Sequence, residues 1–207
     1  MGSRIRQHVN PMSMGHLDTG ARPLDLPRGR PVEVDLGCGE GEFLFRYSAH
    51  HPDVFLVGVE IRRALVDRIQ ARILTDGIDD RLFAVYANLL VDLPILFANR
   101  RVDAIFMQFP DPWFKKRHHK RRMFSDKLAD HILGALKKNG SFFFQSDVFE
   151  PALDAMAILE SRDDVTNLAG AWSFAKNSPL DTPTRRQRYC EEKGLPIWRL
   201  WYKKTNG

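Results

Sequence analysis

The sequence contains few cysteines and no long apolar run. Its 207 residues include only Cys38 and Cys190, which lack the C-x-x-C spacing of a zinc or redox motif. We therefore expect neither a disulfide scaffold nor a metal site. No apolar run is long enough to span a membrane, and the chain does not start with a signal-peptide pattern. These absences favour a cytoplasmic protein with no membrane attachment.

The length and composition predict one globular domain with a small basic excess. The hydrophobic fraction is 43% and the formal net charge is +5, so the clustering of cations matters more than their total. Residues 1–30 are rich in proline, glycine and arginine and predict a flexible basic segment. This segment would be either a mobile tail or a flap that orders over bound ligand or RNA. Residues 31–207 would form the single domain, as a monomer or a homodimer.

One stretch near the start of the domain has the pattern of half a nucleoside-binding α/β unit. Apolar and polar residues alternate over Val32–Leu36, which predicts a strand. Gly37, Gly39 and Gly41 follow directly, and a helical pattern opens at Glu42. A sharp turn from strand to helix leaves backbone N–H groups free beside an open crevice, and glycine lets a ligand approach the backbone closely.

Acidic residues near this turn select between two ligand classes. Asp35 precedes the first glycine and suits an ammonium group, while Glu60 ends the next apolar run and can accept hydrogen bonds from both hydroxyls of a ribose. A dinucleotide site prefers G-x-G-x-x-G with a pyrophosphate at the helix N-terminus, where Glu40 and Glu42 would repel it. The pattern therefore favours S-adenosylmethionine and resembles the nucleoside loop of class I methyltransferases.

Strand and helix patterns alternate through most of the chain and then change. A helix capped by Ser125 is predicted to close at Lys137–Gly140. Two later strands are predicted at Ala171–Ala175 and Ile197–Tyr202, with a loop and no clear helix between them. Alternating units imply a parallel sheet, and late strands without a crossover helix imply an antiparallel edge. We predict an α/β fold with a doubly wound, mostly parallel seven-stranded sheet and an antiparallel C-terminal edge.

Ligands of such sheets lie beyond the carboxyl ends of the strands. Asn88 follows the third strand, where its amide suits either an adenine edge or a simple turn. Asp111 follows the fourth strand between Pro110 and Pro112, which restrict the backbone and hold the carboxylate in place. Both side chains are therefore candidates for the site.

A dense run of cations follows Asp111. The six cations within eight residues are Lys115, Lys116, Arg117, Lys120, Arg121 and Arg122. Such a run predicts a phosphate-binding patch, the alternative being a solvated surface. His118 and His119 lie within the run, but adjacent histidines lack the spacing of a helical metal site.

A third polar patch lies near the end of the chain. It contains Thr184, Arg185, Arg186, Gln187 and Arg188, which supply hydroxyl, amide and guanidinium donors. The patch would grip a nucleotide if the late strands return beside strand five, and it would otherwise be a basic surface loop.

Together these residues resemble the bacterial tRNA (guanine-N7)-methyltransferases over nearly the whole chain. The run from Phe109 to Arg122, FPDPWFKKRHHKRR, is similar to that family's most specific signature, and Arg6–Pro11 is similar to its N-terminal motif. The resemblance departs at the late motif, usually Thr-x-x-Glu with a further acid after the threonine, where this chain has Arg185 and Gln187. This departure implies that recognition at the late motif is built differently here.

The resemblance implies S-adenosylmethionine as cofactor, tRNA as partner and N7 of guanosine 46 in the variable loop as acceptor. It assigns the cofactor to Asp35, Glu60, Asn88 and Asp111, together with the turn of Gly37 and Gly39, with Asp111 also at the catalytic centre. It assigns the target guanosine to Lys115, Asp147, Thr184, Arg185, Arg186 and Gln187. The remaining cations, Lys116, Arg117, Lys120, Arg121 and Arg122, would contact RNA phosphates.

The chemistry agrees with the absence of a nucleophile motif or catalytic dyad. Guanine N7 is nucleophilic and carries no proton, so transfer needs positioning more than a general base. Three alternatives stay open: a nicotinamide-dependent dehydrogenase, a non-catalytic basic RNA-binding protein, and a methyltransferase acting on another RNA or base nitrogen.

Overall fold

The computed structural model describes residues 10–11, 18–99, 101–111 and 124–205. Its strands are β1 Val32–Leu36, β2 Phe55–Glu60, β3 Leu82–Tyr86, β4 Val102–Gln108, β5 Leu136–Ser146, β6 Val165–Asn167 and β7 Trp198–Lys204. They form one sheet in the order β3-β2-β1-β4-β5-β7-β6. Strands β1 to β5 pair in parallel, whereas β7 runs antiparallel to β5 and β6. The predicted fold class is confirmed.

Helices cover both faces of the sheet. They are α1 Glu42–His50, α2 Arg63–Asp76, α3 Leu93–Leu96, α4 Asp126–Ala135, α5 Phe149–Glu160 and α6 Arg185–Glu192. Val34 and Leu36 point into the apolar cluster shared with α4 and α5, while α1 and α2 pack on the opposite face. Because side chains alternate along a strand, Asp35 lies on the same face as α1.

The first late strand lies earlier than predicted. Strand β6 is Val165–Asn167 and not Ala171–Ala175. The chain then continues along β7, with the Leu168 amide donating to the Trp201 carbonyl at 2.8 Å and the Ala175 amide donating to the Arg199 carbonyl at 2.8 Å. A loop separates these two bonds, so the predicted strand keeps only its last ladder contact.

Two other local predictions are corrected. The stretch predicted to be a loop contains α6, because Thr184 caps its N-terminus by accepting from the Gln187 amide at 3.1 Å. The helix capped by Ser125 ends at Ala135, and Leu136 already belongs to β5. Lys137 does not close that helix, since its Nζ binds Asp103 Oδ1 of β4 at 2.7 Å.

Part of the N-terminal segment packs on the domain. The Leu24 amide donates to the Leu96 carbonyl at 2.9 Å, and Leu26 is buried in the core. Thr19 Oγ1 donates to Asp92 Oδ2 at 2.7 Å. The division at residue 30 stays a prediction, and these contacts hold residues 19–26 against the domain. Among the described residues, every helix is too short or too polar to span a bilayer.

Candidate active site

The glycine turn joins β1 to α1 beneath the ends of the central strands. Gly37 and Gly39 have φ values of 78° and 59°, which side chains other than glycine rarely adopt. The turn amides are not free as the sequence suggested. Gly37 donates to the Val59 carbonyl at 2.8 Å, and Gly39 donates to Glu60 Oε2 at 2.9 Å. The turn is therefore held against β2. A ligand can come close to the backbone of the turn, but these two N–H groups already have hydrogen-bond acceptors.

Asp35 lies just before this turn and is only 4% exposed. Gln108 Nε2 donates to its Oδ1 at 3.4 Å. Burial raises the pKa of Asp35 to about 7, the Gln108 bond lowers it, and the nearby Glu60 charge raises it. A buried carboxylate with one long hydrogen bond favours a cationic partner, because an added positive charge would stabilise its ionised form.

Glu60 is buried and its carboxylate is fully used. Its Oε1 accepts from the Arg62 amide at 3.0 Å and from Arg62 Nε at 2.9 Å. Its Oε2 accepts from Arg62 Nη2 at 3.0 Å and from the Gly39 amide. Four bonds fill the acceptor positions of a carboxylate, so ribose hydroxyls would have to replace part of the Arg62 contact. The assignment of Glu60 to the cofactor stays a prediction.

Asn88 has the turn geometry that the sequence allowed as its alternative role. Its Oδ1 accepts from the Leu90 amide at 3.0 Å, and its Nδ2 donates to the Pro11 carbonyl at 2.8 Å. The backbone amide of Asn88 donates to Asp92 Oδ2 at 2.7 Å. This side chain therefore links the N-terminal segment to the end of β3, and its predicted contact with an adenine is not tested by these bonds.

The backbone is strained where β4 leaves the sheet. Phe109 has a φ of 48°, and its amide donates to the Gln145 carbonyl at 2.7 Å. Left-handed conformations of bulky residues are costly and concentrate at functional sites. Asp111 follows as an exposed residue. The pKa of Arg62 is raised mainly by its hydrogen bond to Glu60 and further by the charge of Asp111. This places the predicted catalytic carboxylate near the Glu60–Arg62 pair.

The late patch lies over the same edge of the sheet. Arg186 Nε donates to Asp147 Oδ2 at 3.2 Å, which joins α6 to the end of β5. Arg188 pairs with Glu42 and thereby joins α6 to α1. The patch is therefore a helix over the crevice and not a detached surface loop.

A cavity of about 240 Å³ lies between these elements. Its lining combines Asp35 and the turn at Gly37 and Cys38 with Thr184, Arg185 and Arg186 of the late patch. Gln108, Phe109, Glu40, Glu42 and Phe43 complete the lining. The structure thus brings together two sets of predicted residues that lie about 150 positions apart in the sequence.

Two site residues were missed by the sequence analysis. Gln108 contacts Asp35, and Gln145 Nε2 donates to Gln108 Oε1 at 2.9 Å. The sequence feature that could have identified them is a polar side chain near the end of a buried apolar strand. Gln108 is the last residue of β4, and Gln145 follows three phenylalanines in β5.

Some predicted residues lie outside the described ranges. They are Lys115, Lys116, Arg117, Lys120, Arg121 and Arg122. In the part of the chain that the structure describes, no cluster of His, Cys, Asp and Glu side chains could hold a metal ion.

Solved structures with a similar fold include a methyltransferase and a cyclase. The aminoglycoside resistance methyltransferase NpmB1 is 13% identical, with a TM-score of 0.56 over 85% of this chain and 88% of that one. The [4+2]-cyclase SpnF is 15% identical, with a TM-score of 0.59 over 86% of this chain and 76% of that one. At these identities the likeness establishes the fold alone.

Sequence relatives are more specific. A family model described as a putative methyltransferase matches residues 29–200. A protein of Synechococcus sp. (strain JA-3-3Ab) named tRNA (guanine-N(7)-)-methyltransferase is 37% identical over 97% of this chain and 86% of its own length. One of the same name from Synechocystis sp. (strain ATCC 27184 / PCC 6803 / Kazusa) is 33% identical over 98% of both chains. The chain therefore belongs to the tRNA (guanine-N7)-methyltransferase family of S-adenosylmethionine-dependent enzymes.

Proposed function

We propose that this protein transfers a methyl group from S-adenosylmethionine to N7 of a guanosine in tRNA, at guanosine 46 of the variable loop. The observation that carries the proposal is the shared cavity, in which buried Asp35 and the glycine turn lie opposite the first turn of α6. One wall suits a cationic nucleoside and the other supplies donors to an anionic polynucleotide. The names of the relatives agree with this pairing.

The residues present fit the methyl donor. Asp35 is buried, and in the part of the chain that the structure describes its side chain accepts one long hydrogen bond, from Gln108, so its carboxylate is available to an ammonium group. Gly37 and Cys38 line the cavity directly above β1 and allow close approach of a nucleoside. When bound, S-adenosylmethionine supplies an electrophilic methyl group on a sulfonium. The protein would orient that group by holding the amine at Asp35 and the ribose near Glu60.

Positioning and electrostatics would account for catalysis. Guanine N7 carries no proton, so no residue has to remove one in the reacting step. Holding N7 in line with the methyl group contributes several kcal/mol, on the order of 7 or more in the best cases. Positive charge moves onto the base during transfer, and the Asp111 carboxylate would stabilise it there.

The late patch would hold the target guanosine. Thr184, Arg185 and Arg186 line the cavity, and Asp147 is fixed by its pair with Arg186. A carboxylate accepts hydrogen bonds from the N–H groups of guanine, and guanidinium groups bind the flanking phosphates. Lys115 and the cations after it would extend the phosphate contact along the RNA.

The direct test is methyl transfer to tRNA from labelled S-adenosylmethionine, followed by nucleoside analysis. We expect the label in 7-methylguanosine from the variable loop, and none with the Asp35→Asn variant at donor concentrations that saturate the unmodified protein. Label in another nucleoside would indicate a different acceptor. Tight tRNA binding without any transfer would support the non-catalytic RNA-binding alternative.

A further inference from the structure

A chain of amide side chains runs along one face of α6, from Asp35 in the cavity to the C-terminal turn of the helix. Gln145 Nε2 donates to Gln108 Oε1 at 2.9 Å and to Gln187 Oε1 at 3.2 Å. At one end Gln108 Nε2 reaches Asp35 Oδ1, and at the other Gln187 Nε2 donates to Glu191 Oε1 at 3.0 Å. We refer to these five side chains as the amide relay.

The Glu191 carboxylate, which pairs with Arg199, fixes the direction of every bond in the relay. A carboxylate only accepts hydrogen bonds, so Gln187 must present its amide nitrogen to Glu191 and its oxygen to Gln145. The Gln145 amide nitrogen donates to that oxygen and to the Gln108 oxygen, which leaves the Gln108 amide nitrogen facing Asp35. The relay therefore has one consistent arrangement.

The relay is buried at its centre. Gln145 is 0% exposed and Gln187 is 6% exposed. Within the described residues, Gln145 Oε1 is buried and has no hydrogen-bond partner. Burying an amide oxygen without a donor costs free energy, so an apolar side chain at this position would serve packing better. The arrangement therefore indicates a role beyond core packing.

The relay also explains why an amide stands at position 187. A glutamate there would keep the acceptor for Gln145, but its second oxygen would face Glu191 Oε1 at the 3.0 Å now spanned by a hydrogen bond. Two carboxylates at that distance repel each other. Glu191 already pairs with Arg199 at 3.3 Å, which holds its carboxylate in place.

We infer that Gln145 and Gln187 are positioning residues. They hold the first turn of α6 over the part of the cavity that would bind the methyl donor, and so set the position of the target guanosine relative to the methyl group. Gln187 is the buried residue of that turn, directly after the cavity-lining Thr184, Arg185 and Arg186. Asp35 anchors the other end of the relay in the donor site, so both halves of the cavity share one hydrogen-bonded support.

An exchange of side chains between positions 187 and 191 tests the inference. In Q187E we expect kcat/KM for tRNA to fall about tenfold through carboxylate repulsion. In E191Q a fall of less than about threefold is expected, because the amide oxygen still accepts from Gln187. The double variant Q187E/E191Q should return to within about threefold of the unmodified protein, since the amide introduced at position 191 donates to the acid introduced at position 187. A double variant no better than Q187E would overturn the relay.

Replacement of Gln145, the centre of the relay, separates positioning of the guanosine from binding of the methyl donor. Q145L should lower kcat/KM for tRNA about as much as Q187E, while S-adenosylhomocysteine affinity stays within about twofold because the Gln108 contact with Asp35 survives. The matched control is Q70L. Gln70 lies on α2 and donates to the Ala84 carbonyl of β3, so its replacement should leave the kinetics unchanged. Equal losses in Q145L and Q70L would contradict a positioning role.

The kinetic experiments rest on the proposed function. A second measurement, of hydrogen exchange, does not depend on it. Hydrogen exchange at the α6 amides from Gln187 to Glu191 should become about tenfold faster in Q145L, while exchange in α1 and α2 stays unchanged. Unchanged exchange in α6 would overturn the relay even if the protein methylates tRNA. Faster exchange in a protein with no transfer activity would instead count against the proposed function alone.

Discussion

At the scale of single residues, binding of the methyl donor is expected to depend most on the charge of Asp35. Burial holds the proton of this carboxyl up to about pH 7, whereas an unfolded chain releases it near the usual pKa of 3.8. The folded state therefore binds more protons in that window, and its stability falls as the pH rises through it. A bound ammonium group would offset that loss by stabilising the ionised carboxylate.

The first prediction is a pH dependence of donor affinity. With a pKa of about 7, Asp35 is ionised in roughly a tenth of the molecules at pH 6 and in most of them at pH 8. Affinity for S-adenosylhomocysteine should therefore rise about tenfold between these pH values. Calorimetric titration across this range measures it. Asp35→Asn should bind weakly at every pH, and a parallel rise in that variant would assign the effect to another group.

The second prediction concerns Asp111. Replacement by alanine should lower kcat at least about a hundredfold, since a charge that stabilises the transition state is lost. Donor affinity should largely survive, because Asp35 and the glycine turn remain in place. Single-turnover methyl transfer and titration with S-adenosylhomocysteine measure the two quantities. Full activity in Asp111→Ala would remove this residue from the catalytic centre.

At the scale of elements, part of the site follows from sequence and part does not. The strand, glycine turn and helix around Asp35 were predictable because hydrophobic periodicity and three glycines act locally. Helix α6 was not, because a charged stretch gives little apolar periodicity and only Thr184 marks its start. The amide relay joins residues of four separate elements, so no local pattern could reveal Gln145 as its centre.

The third prediction tests α6 as a unit. Thr184→Ala removes the cap that accepts from the Gln187 amide, which should cost about 1 kcal/mol and lower Tm by about 2–4 °C. The KM for tRNA should rise as well, because the helix start lines the cavity. Ser125→Ala is the matched control, since it removes the equivalent cap of α4 outside the cavity lining. A rise in KM of equal size in both variants would attribute the effect to stability alone.

At the scale of the whole molecule, a small net charge is concentrated where RNA is expected. The formal charge is only +5, yet six cations fall within residues 115–122, after the strand end that faces the cavity. Neutralised phosphates release counterions, so each contact adds to the salt dependence of binding. We therefore expect these clustered cations to contribute much of the salt dependence of tRNA binding.

The fourth prediction follows from that clustering. Replacing Lys120, Arg121 and Arg122 by alanine should weaken tRNA binding and reduce the slope of log K against log salt by up to about 0.9 for each lost contact. Fluorescence anisotropy over a salt series measures the slope. A double alanine variant of Arg101 and Lys138 should leave the slope nearly unchanged, because these exposed cations lie at the start of β4 and β5, at the end of the strands away from the cavity. Equal slopes in the triple variant and the unmodified protein would exclude the run from the RNA surface.

The central claim is that one cavity holds the methyl donor against N7 of a tRNA guanosine. The most direct measurement compares methyl transfer to two ligated tRNAs that differ at one atom, with guanosine or 7-deazaguanosine at position 46. We expect full transfer to the first tRNA and none to the second, with affinities within about threefold because the phosphate contacts are the same. Equal transfer to both tRNAs would contradict it.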